Sequence, residues 1–404
     1  MDIRLRATLA HMFRSLRYQS FRRYFVGHSI SVCGVWMQNV AQSWLVFRLS
    51  GSELMLGLTS FCALSPMLLL GLTGGRLADR YSPHRLLWIS QTLALLQAIG
   101  LAALTFGGHI RLWHVLSLAF LLGLAQAMQI PARHAYIARL VPREELPNAI
   151  ALNSSAFHSA RFVGPALAGL LVAVSHEGLV FFINGLAILV YLGILTSMML
   201  PVSERVNAHV SLGEGLHHAW HSPRIRAGLV MAGVISLFGT PYLVLMPVFA
   251  RSVFGGGPET LGGLMSAAGA GSLIGALSLA LRYKQEGLDT SIAWAAMLAG
   301  LTLFIFSRTD VLIVALASLF VAGFSLTRAI VSTNTMIQVQ VPDGLRGRVM
   351  SLFTVTFLGL SPIGSLVAGA LAESVGAAST VLIYSLLFAV GSGVFACFIR
   401  GEES

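Results

Sequence analysis

The sequence predicts an all-α polytopic membrane protein: twelve transmembrane helices arranged as two pseudo-repeated six-helix bundles around a central cavity. Three observations carry that prediction. Hydrophobic residues make up 56% of the 404 and charged residues only 10%, with a mean hydropathy of +0.79, whereas a soluble domain carries roughly 25% charged residues. The apolar residues fall into twelve stretches, each near the ~20 residues a helix needs to cross a bilayer. Segments of the first half also return in the second at a nearly constant offset.

In chain order, the basic start "MDIRLRATLAHMFRSLRYQSFRRY" comes first. It is too long and too arginine-dense for a cleaved leader, and residues 1–23 read as an amphipathic segment on the inner membrane surface. Spans follow at 24–47, 54–75, 86–107, 112–138, 148–174 and 178–200, forming the first bundle over 24–200. The longest polar stretch, "PVSERVNAHVSLGEGLHHAWHSPR" (201–224), reads as a cytoplasmic linker. The second bundle, 225–400, holds spans at 226–250, 260–281, 290–307, 311–338, 348–372 and 377–399, before a short tail at 401–404.

The net charge of +10 is explained by topology and needs no nucleic acid. With alternate loops assigned to two sides, 20 of the 26 Lys and Arg residues fall on the side of the termini. The positive-inside rule then places both termini in the cytoplasm. Cys33, Cys62 and Cys397 are far apart in apolar spans and imply neither a disulfide framework nor a metal site.

The repeat is specific. At an offset of 200, Val141-Pro142 matches Val341-Pro342, Gly164 matches Gly364, and Ala168-Gly169 matches Ala368-Gly369. At an offset of 205, Leu56-Gly57 matches Leu261-Gly262. Two parallel six-span repeats supply two bodies able to rock about a site near the midplane.

With these features the whole chain resembles the major facilitator superfamily. "GGRLADRYSPHRLL", between the second and third spans, is similar to that superfamily's signature loop through Gly75, Leu77, Asp79 and Arg80; Ser82 and Pro83 depart from it. Asp79 is expected to pair with Arg133 or Arg139 in a gate on the cytoplasmic side, since a pair formed in one state only biases a rocking equilibrium. "SISVCGVWMQNVAQSWLVFRLSGS", "QIPARHAYIARLVPREELPNAIALNSSAF" and "ARFVGPALAG" resemble the bacterial branch of macrolide- and tetracycline-efflux proteins and siderophore exporters, the enterobactin-exporter type included. Gly164, Pro165 and Gly169 resemble the fifth-span motif of the superfamily's antiporters. Pro165 removes a backbone hydrogen bond and bends the helix, and the glycines permit close helix approach.

Polar stripes on spanning helices must face something other than lipid. Span 5 carries Ser154, His158, Arg161 and Pro165 on one face; span 1 carries Gln38, Asn39 and Gln42; span 4 carries Gln126, Gln129 and Arg133; span 10 carries Arg328 and Asn334. The resemblance places spans 1, 4 and 10 around the central cavity. Span 7 is interrupted at "FGTPYLVLMP", and broken helices in matching positions point to a binding site. Trp36, Trp44, Phe238 and Tyr242 suit an apolar wall, and the glutamines and asparagines equally suit interhelical hydrogen bonding.

Arg161 falls near the centre of its span, where an arginine costs about 2.5–3.5 kcal/mol on insertion scales. None of the 16 Asp and Glu residues falls at mid-span to pair with it. Three readings stand together: an attractor for an anionic substrate group, an electrostatic neighbour of His158, or a lock at the Pro165 bend.

Lys284 is the only lysine and no phosphate-loop motif surrounds it, so an ion gradient is the expected energy source. The resemblance implies proton antiport, although the mid-membrane carboxylate common in such antiporters is missing. His28, Glu53 and His158 are the coupling candidates, histidine because its ordinary pKa lies near 6.5. The expectation is therefore a secondary active exporter of a small amphiphile, drug or siderophore in class. It would be monomeric, surrounded by membrane lipid, multi-pass in the bacterial inner membrane, and without cofactor or metal. A lysophospholipid flippase or importer is the alternative. An enzyme is not expected: neither His-Glu-x-x-His nor Gly-x-Ser-x-Gly occurs.

Overall fold

In hydrocarbon every backbone N–H and C=O must be paired within the chain, which leaves helices as the conformation for apolar runs of this length. The computed structural model accordingly shows helices and no strand among its described residues. These are 13–80, 82–198, 212–280 and 287–403, with the side chains of 70–80, 212, 213, 280, 343 and 400–403 excepted.

After a 3-10 turn at Arg14–Arg17 come α1 (Gln19–Ser50), α2 (Glu53–Arg80), α3 (Pro83–Phe106), α4 (Leu112–Ile137), α5 (Leu146–Val174) and α6 (Glu177–Ser197). A short helix α7 (Leu212–His221) leads into α8 (Pro223–Val234). Then follow α9 (Pro258–Ala280), α10 (Leu288–Arg308), α11 (Leu312–Gln340), α12 (Asp343–Val375) and α13 (Ala377–Glu403).

Ten of the described helical segments are long and apolar enough to cross a membrane. The 32-residue α1 is not among them, and its packing explains why its polar residues are tolerated. Gln38 donates from Nε2 to Gln97 Oε1 of α3 at 2.9 Å, and Asn184 of α6 donates from Nδ2 to Gln38 Oε1 at 2.7 Å. The three amides are buried and serve one another.

Boundaries differ from the sequence expectation in three places. The first long helix begins at Gln19, inside the segment expected to lie on the membrane surface. α2 runs to Arg80, so "GGRLAD" continues a helix instead of forming a loop. The linker contains α7, whose Glu214 pairs with Arg348 of α12 at 2.6 Å. The expected interruption of span 7 is present: α8 passes into a π turn at Ile235–Gly239, a 3-10 stretch at Pro241–Leu245, Met246–Val248, and a second π segment at Phe249–Val253. Pro241 and Pro247 lack the N–H that a continuous α-helix would use there.

Before residue 199, α1 packs on α5 and α6, α3 on α4 and α6, and α2 on α4; after residue 211, α9 and α10 pack on α11, and α10 on α13. Two long contacts join these groups, α5 along α9 and α2 along α12. Each contains a backbone crossing on the side opposite the termini. A Cβ on Gly169 would lie 2.6 Å from the Pro258 carbonyl oxygen, and one on Gly262 would lie 2.6 Å from that of Pro165. At the other crossing, a Cβ on Gly57 would meet the Ser365 carbonyl oxygen at 2.8 Å, and one on Gly369 that of Glu53 at 2.7 Å. The sequence repeat relates Gly57 to Gly262 and Gly169 to Gly369, so the two crossings are copies of one contact. Ion pairs lie toward the ends: Arg14 and Arg17 with Glu145, and Arg48 with Glu177, each at 2.8 Å.

Candidate functional site

Between the far-side crossings and the terminal side, the polar face of α5 meets helices from the second group. Residues 154, 158, 161 and 165 follow one another at helical spacing, so α5 can turn all four toward one neighbour. That neighbour is α9, at a serine. His158 Nδ1 lies 3.1 Å from Ser272 Oγ, Arg161 donates from Nη1 to the same oxygen at 3.3 Å, and Thr327 Oγ1 of α11 is 2.7 Å from it. Ser272 is fully buried and Thr327 nearly so. Six residues earlier on α9, toward the far side, Ser266 Oγ donates to the Phe162 carbonyl at 2.8 Å.

Aromatic residues complete the patch. The Arg161 guanidinium carbon stands 5.5 Å from the centre of the Trp36 ring, within range of a cation–π attraction worth about 0.5–2 kcal/mol. Phe157 meets Trp36 edge-on, with centroids 5.7 Å apart. Tyr242, on the 3-10 stretch that breaks span 7, lies close enough to Arg161 to interact with its charge. Its hydroxyl is buried and makes no hydrogen bond. Five helical segments thus converge: α1, α5, α9, α11 and the broken stretch after α8.

The remaining residues singled out from the sequence are distributed as follows. Ser154 is exposed on the same α5 face, and Asn39 is exposed on α1 while Gln42 is buried. Gln126 and Gln129 are half-buried on α4, and half-buried Asn334 accepts from Gln338. Gln38 belongs to the amide cluster with Gln97 and Asn184. Arg328 donates to Ser278 of α9 at 2.9 Å and to Ser291 of α10 at 3.3 Å, beneath the Phe324 ring. Gln38 and Arg328 therefore engage neighbours within their own helix groups, apart from the Arg161 patch. Gly164 packs on α1, where its Cβ would lie 2.7 Å from that of Trp36.

The side chains of Gly75, Leu77, Asp79 and Arg80 lie outside the described residues. Of their expected partners, Arg139 is exposed. Arg133 is half-buried beside the Tyr24, His28 and Tyr191 cluster, with no acceptor at Nε. His28 is enclosed by the rings of Tyr24 and Tyr191, 5.4 and 5.8 Å away, with neither ring nitrogen bonded. Glu53, at the far-side start of α2, has its carboxyl within hydrogen-bonding reach of Glu373 on α12. Glu373 accepts from Ser52 Oγ at 2.8 Å and from the Leu54 N–H at 3.0 Å, tying the two helices together.

Sequence reasoning missed Ser272 and Thr327. Ser272 sits in "SAAGAGSLIGALSLA", where small residues read as helix packing, and only the pairing of α9 with α5 gives it a role. Among the described residues, no group of three or more His, Cys, Asp or Glu converges as a metal site would require. The patch offers a fixed cation, hydroxyls and an aromatic face, a set suited to holding and orienting a molecule.

Comparison with known proteins agrees with this architecture. The model of the transmembrane secretion effector family matches residues 10–402. The staphyloferrin A transporter of Staphylococcus aureus is 26% identical over 371 residues, covering 90% of this chain and 92% of its own. The multidrug efflux pump Tap of Mycolicibacterium fortuitum is 26% identical over 377 residues (89% and 90%), and the enterobactin exporter EntS of Salmonella typhimurium 24% over 360 (88% and 86%). The chain also shares its fold with a bacterial homologue of the human lysosomal transporter Spinster, crystallised inward-facing and unoccupied. That match has a TM-score of 0.71 at 13% identity and covers 95% of this chain and 97% of the other. The nucleoside transporter NupG matches with a TM-score of 0.72 at 13% identity over 94% and 99%. Relatives named for efflux and siderophore export do not favour the lysophospholipid alternative. This is a multi-pass membrane transporter and not an enzyme, and the chain belongs to the transmembrane secretion effector family of the major facilitator superfamily.

Proposed function

We propose that the protein exports a small amphiphilic molecule, of drug or siderophore class, across the bacterial cytoplasmic membrane by alternating access of two six-helix halves. The observation that carries this reading is the patch of His158, Arg161, Ser272 and Thr327. It joins helices from both sides of the linker at mid-helix, behind the two far-side glycine crossings. A site built from both groups changes shape when they rock, and the crossings are positioned to close it off. The charge bias supports cytoplasmic termini and linker, which makes the far side the outer one and the conformation closed to the outside.

Proton antiport is the drive we infer, with coupling assigned to His158 or Glu53. His158 hydrogen-bonds across the interface to Ser272. Glu53 faces a second carboxyl across the other contact, and two carboxyls this close favour holding a proton between them. His28 has no acceptor at either ring nitrogen, so it offers an imidazolium nothing to bond. The test is flux in proteoliposomes under an imposed pH gradient, for the wild type, His158→Ala and Glu53→Gln. Gradient-driven efflux of an amphiphile, lost in one of the two variants, is expected. Flux insensitive to the gradient would eliminate proton antiport.

A further inference from the structure

We propose that the transported molecule carries an oxyanion, a carboxylate or another group with two oxygens able to accept parallel N–H bonds, and that Arg161 receives it. This rests on the exporter reading above and specifies its substrate class.

The argument begins with charge. Arg161 stands at mid-helix in α5, and the Asp and Glu among the described residues lie at helix ends or in the connections between helices. The acidic groups on the two contacts lie at their far-side ends and already have partners: Glu373 accepts from Ser52 and Leu54 and lies within hydrogen-bonding reach of Glu53, and Glu259 accepts from the Gly257 N–H. Among the described residues no carboxylate pairs with Arg161, and the Tyr242 hydroxyl lies near enough to interact with its charge. A guanidinium in low dielectric without a counter-charge is costly, and such a residue in a span marks a function by default.

Hydrogen bonding leads to the same place. Arginine has five N–H donors in a planar fork. Among the described residues, Arg161 uses one of them, toward Ser272. Ser272 cannot neutralise it, because a hydroxyl carries no charge, and this one is already shared with His158 and Thr327. Tyr242 adds a buried hydroxyl with no partner, on the one helix of the site whose regular geometry is broken. A cation with an unused hydroxyl close by makes a receptor for negative oxygen. The guanidinium fork matches a two-oxygen group better than a point cation would. A cationic ligand would instead meet like charge where water screens it least. Trp36 and Phe157, stacked edge-on beside the guanidinium, supply the surface for an apolar body. The occupant these residues describe is an amphiphilic anion.

The test uses full-length protein in detergent and measures binding by calorimetry for three skeletons: 1-naphthylacetate, laurate and cholate. Each is presented as the carboxylate, its methyl ester and the corresponding primary amine. We expect at least one carboxylate to bind about tenfold or more tighter than its ester and amine, a difference typical of a charge-assisted hydrogen bond. Arg161→Gln should erase that preference, and Arg161→Lys should keep the preference for the anion at reduced affinity. Lysine preserves the charge without the fork, so this variant separates recognition from a purely structural lock even if Arg161→Gln misfolds. Equal or tighter binding of the ester or amine, a preference that survives in Arg161→Gln, its loss in a folded Arg161→Lys, or no carboxylate binding at all would each overturn the assignment. Flux distinguishes the two readings. A carboxylate that binds through Arg161 but is never moved refutes the exporter and leaves the anion site, whereas export blind to charge refutes the anion site alone.

Discussion

A single serine organises the polar patch, and its neighbours determine what its loss should do. Ser272→Ala removes the oxygen shared by His158 Nδ1, Arg161 Nη1 and Thr327 Oγ1. A hydrogen bond to a charged group contributes roughly 1.5–3 kcal/mol. We therefore expect transport of the preferred substrate to fall about tenfold or more, with the protein still monodisperse and helical by circular dichroism. Gln38 presents the opposite case, a polar residue whose work is structural. Gln38→Leu leaves Gln97 and Asn184 each short of a partner in a buried place, at about 1–3 kcal/mol. Its melting temperature in detergent should drop, and adding Gln97→Leu should recover part of the loss. The sequence singled out Gln38 as a candidate for the cavity and passed over Ser272. Their partners, 59 and 146 residues away for Gln38 and 111 or more for Ser272 toward α5, separate the roles.

At the scale of elements, the two inter-group contacts depend on absent side chains. Where α5 crosses α9 and α2 crosses α12, backbone meets backbone at Gly169 with Gly262 and at Gly57 with Gly369. Gly262→Leu or Gly369→Leu puts a side chain where the opposing backbone already stands. Each variant should therefore hold the far side open. A cysteine introduced on the inner face of α9 or α12 should then label faster with an impermeant thiol reagent from the far side, and transport should be lost. Unchanged labelling with transport intact would mean that these crossings do not form the closure. The repeat in the sequence pointed at these glycines, because small residues are what close helix approach requires. It did not show that each glycine of one repeat meets the other glycine of its partner, which depends on how the groups face. The broken helix after α8 was legible for a local reason: Gly239, Pro241 and Pro247 interrupt backbone pairing wherever the helix is placed.

For the whole molecule, the expected behaviour follows from asymmetry in charge and contact. If the spans alternate as the sequence predicts, 20 of the 26 basic residues share the side of the termini, and a reporter fused after residue 404 should be active only in the cytoplasm. Adding several lysines to the far-side loops should weaken that bias. Driven transport should require both groups of helices assembled together, since α5 and α11 contribute to the same serine on α9. Co-expressed halves, 1–205 and 206–404, should restore activity only when they associate, as judged by co-purification and flux.

The sequence by itself determined the class of this protein. Composition, span length, the repeat and the signature motif act locally or by sums along the chain, so an all-helical multi-pass transporter could be read without coordinates. The stripe Ser154, His158, Arg161 could be read as well, because helical spacing alone puts those residues on one face. Only the tertiary structure decided what that stripe faces. It showed Ser272 meeting both Arg161 and Thr327, Gln38 turned into an amide cluster, Arg328 held by two serines away from the patch, and Glu373 capping a helix from the other group. Each of these depends on which helix lies alongside and at what height. Apolar surfaces permit many such arrangements, and the choice is made by close packing and by the pairing of each buried polar group with a partner far along the chain.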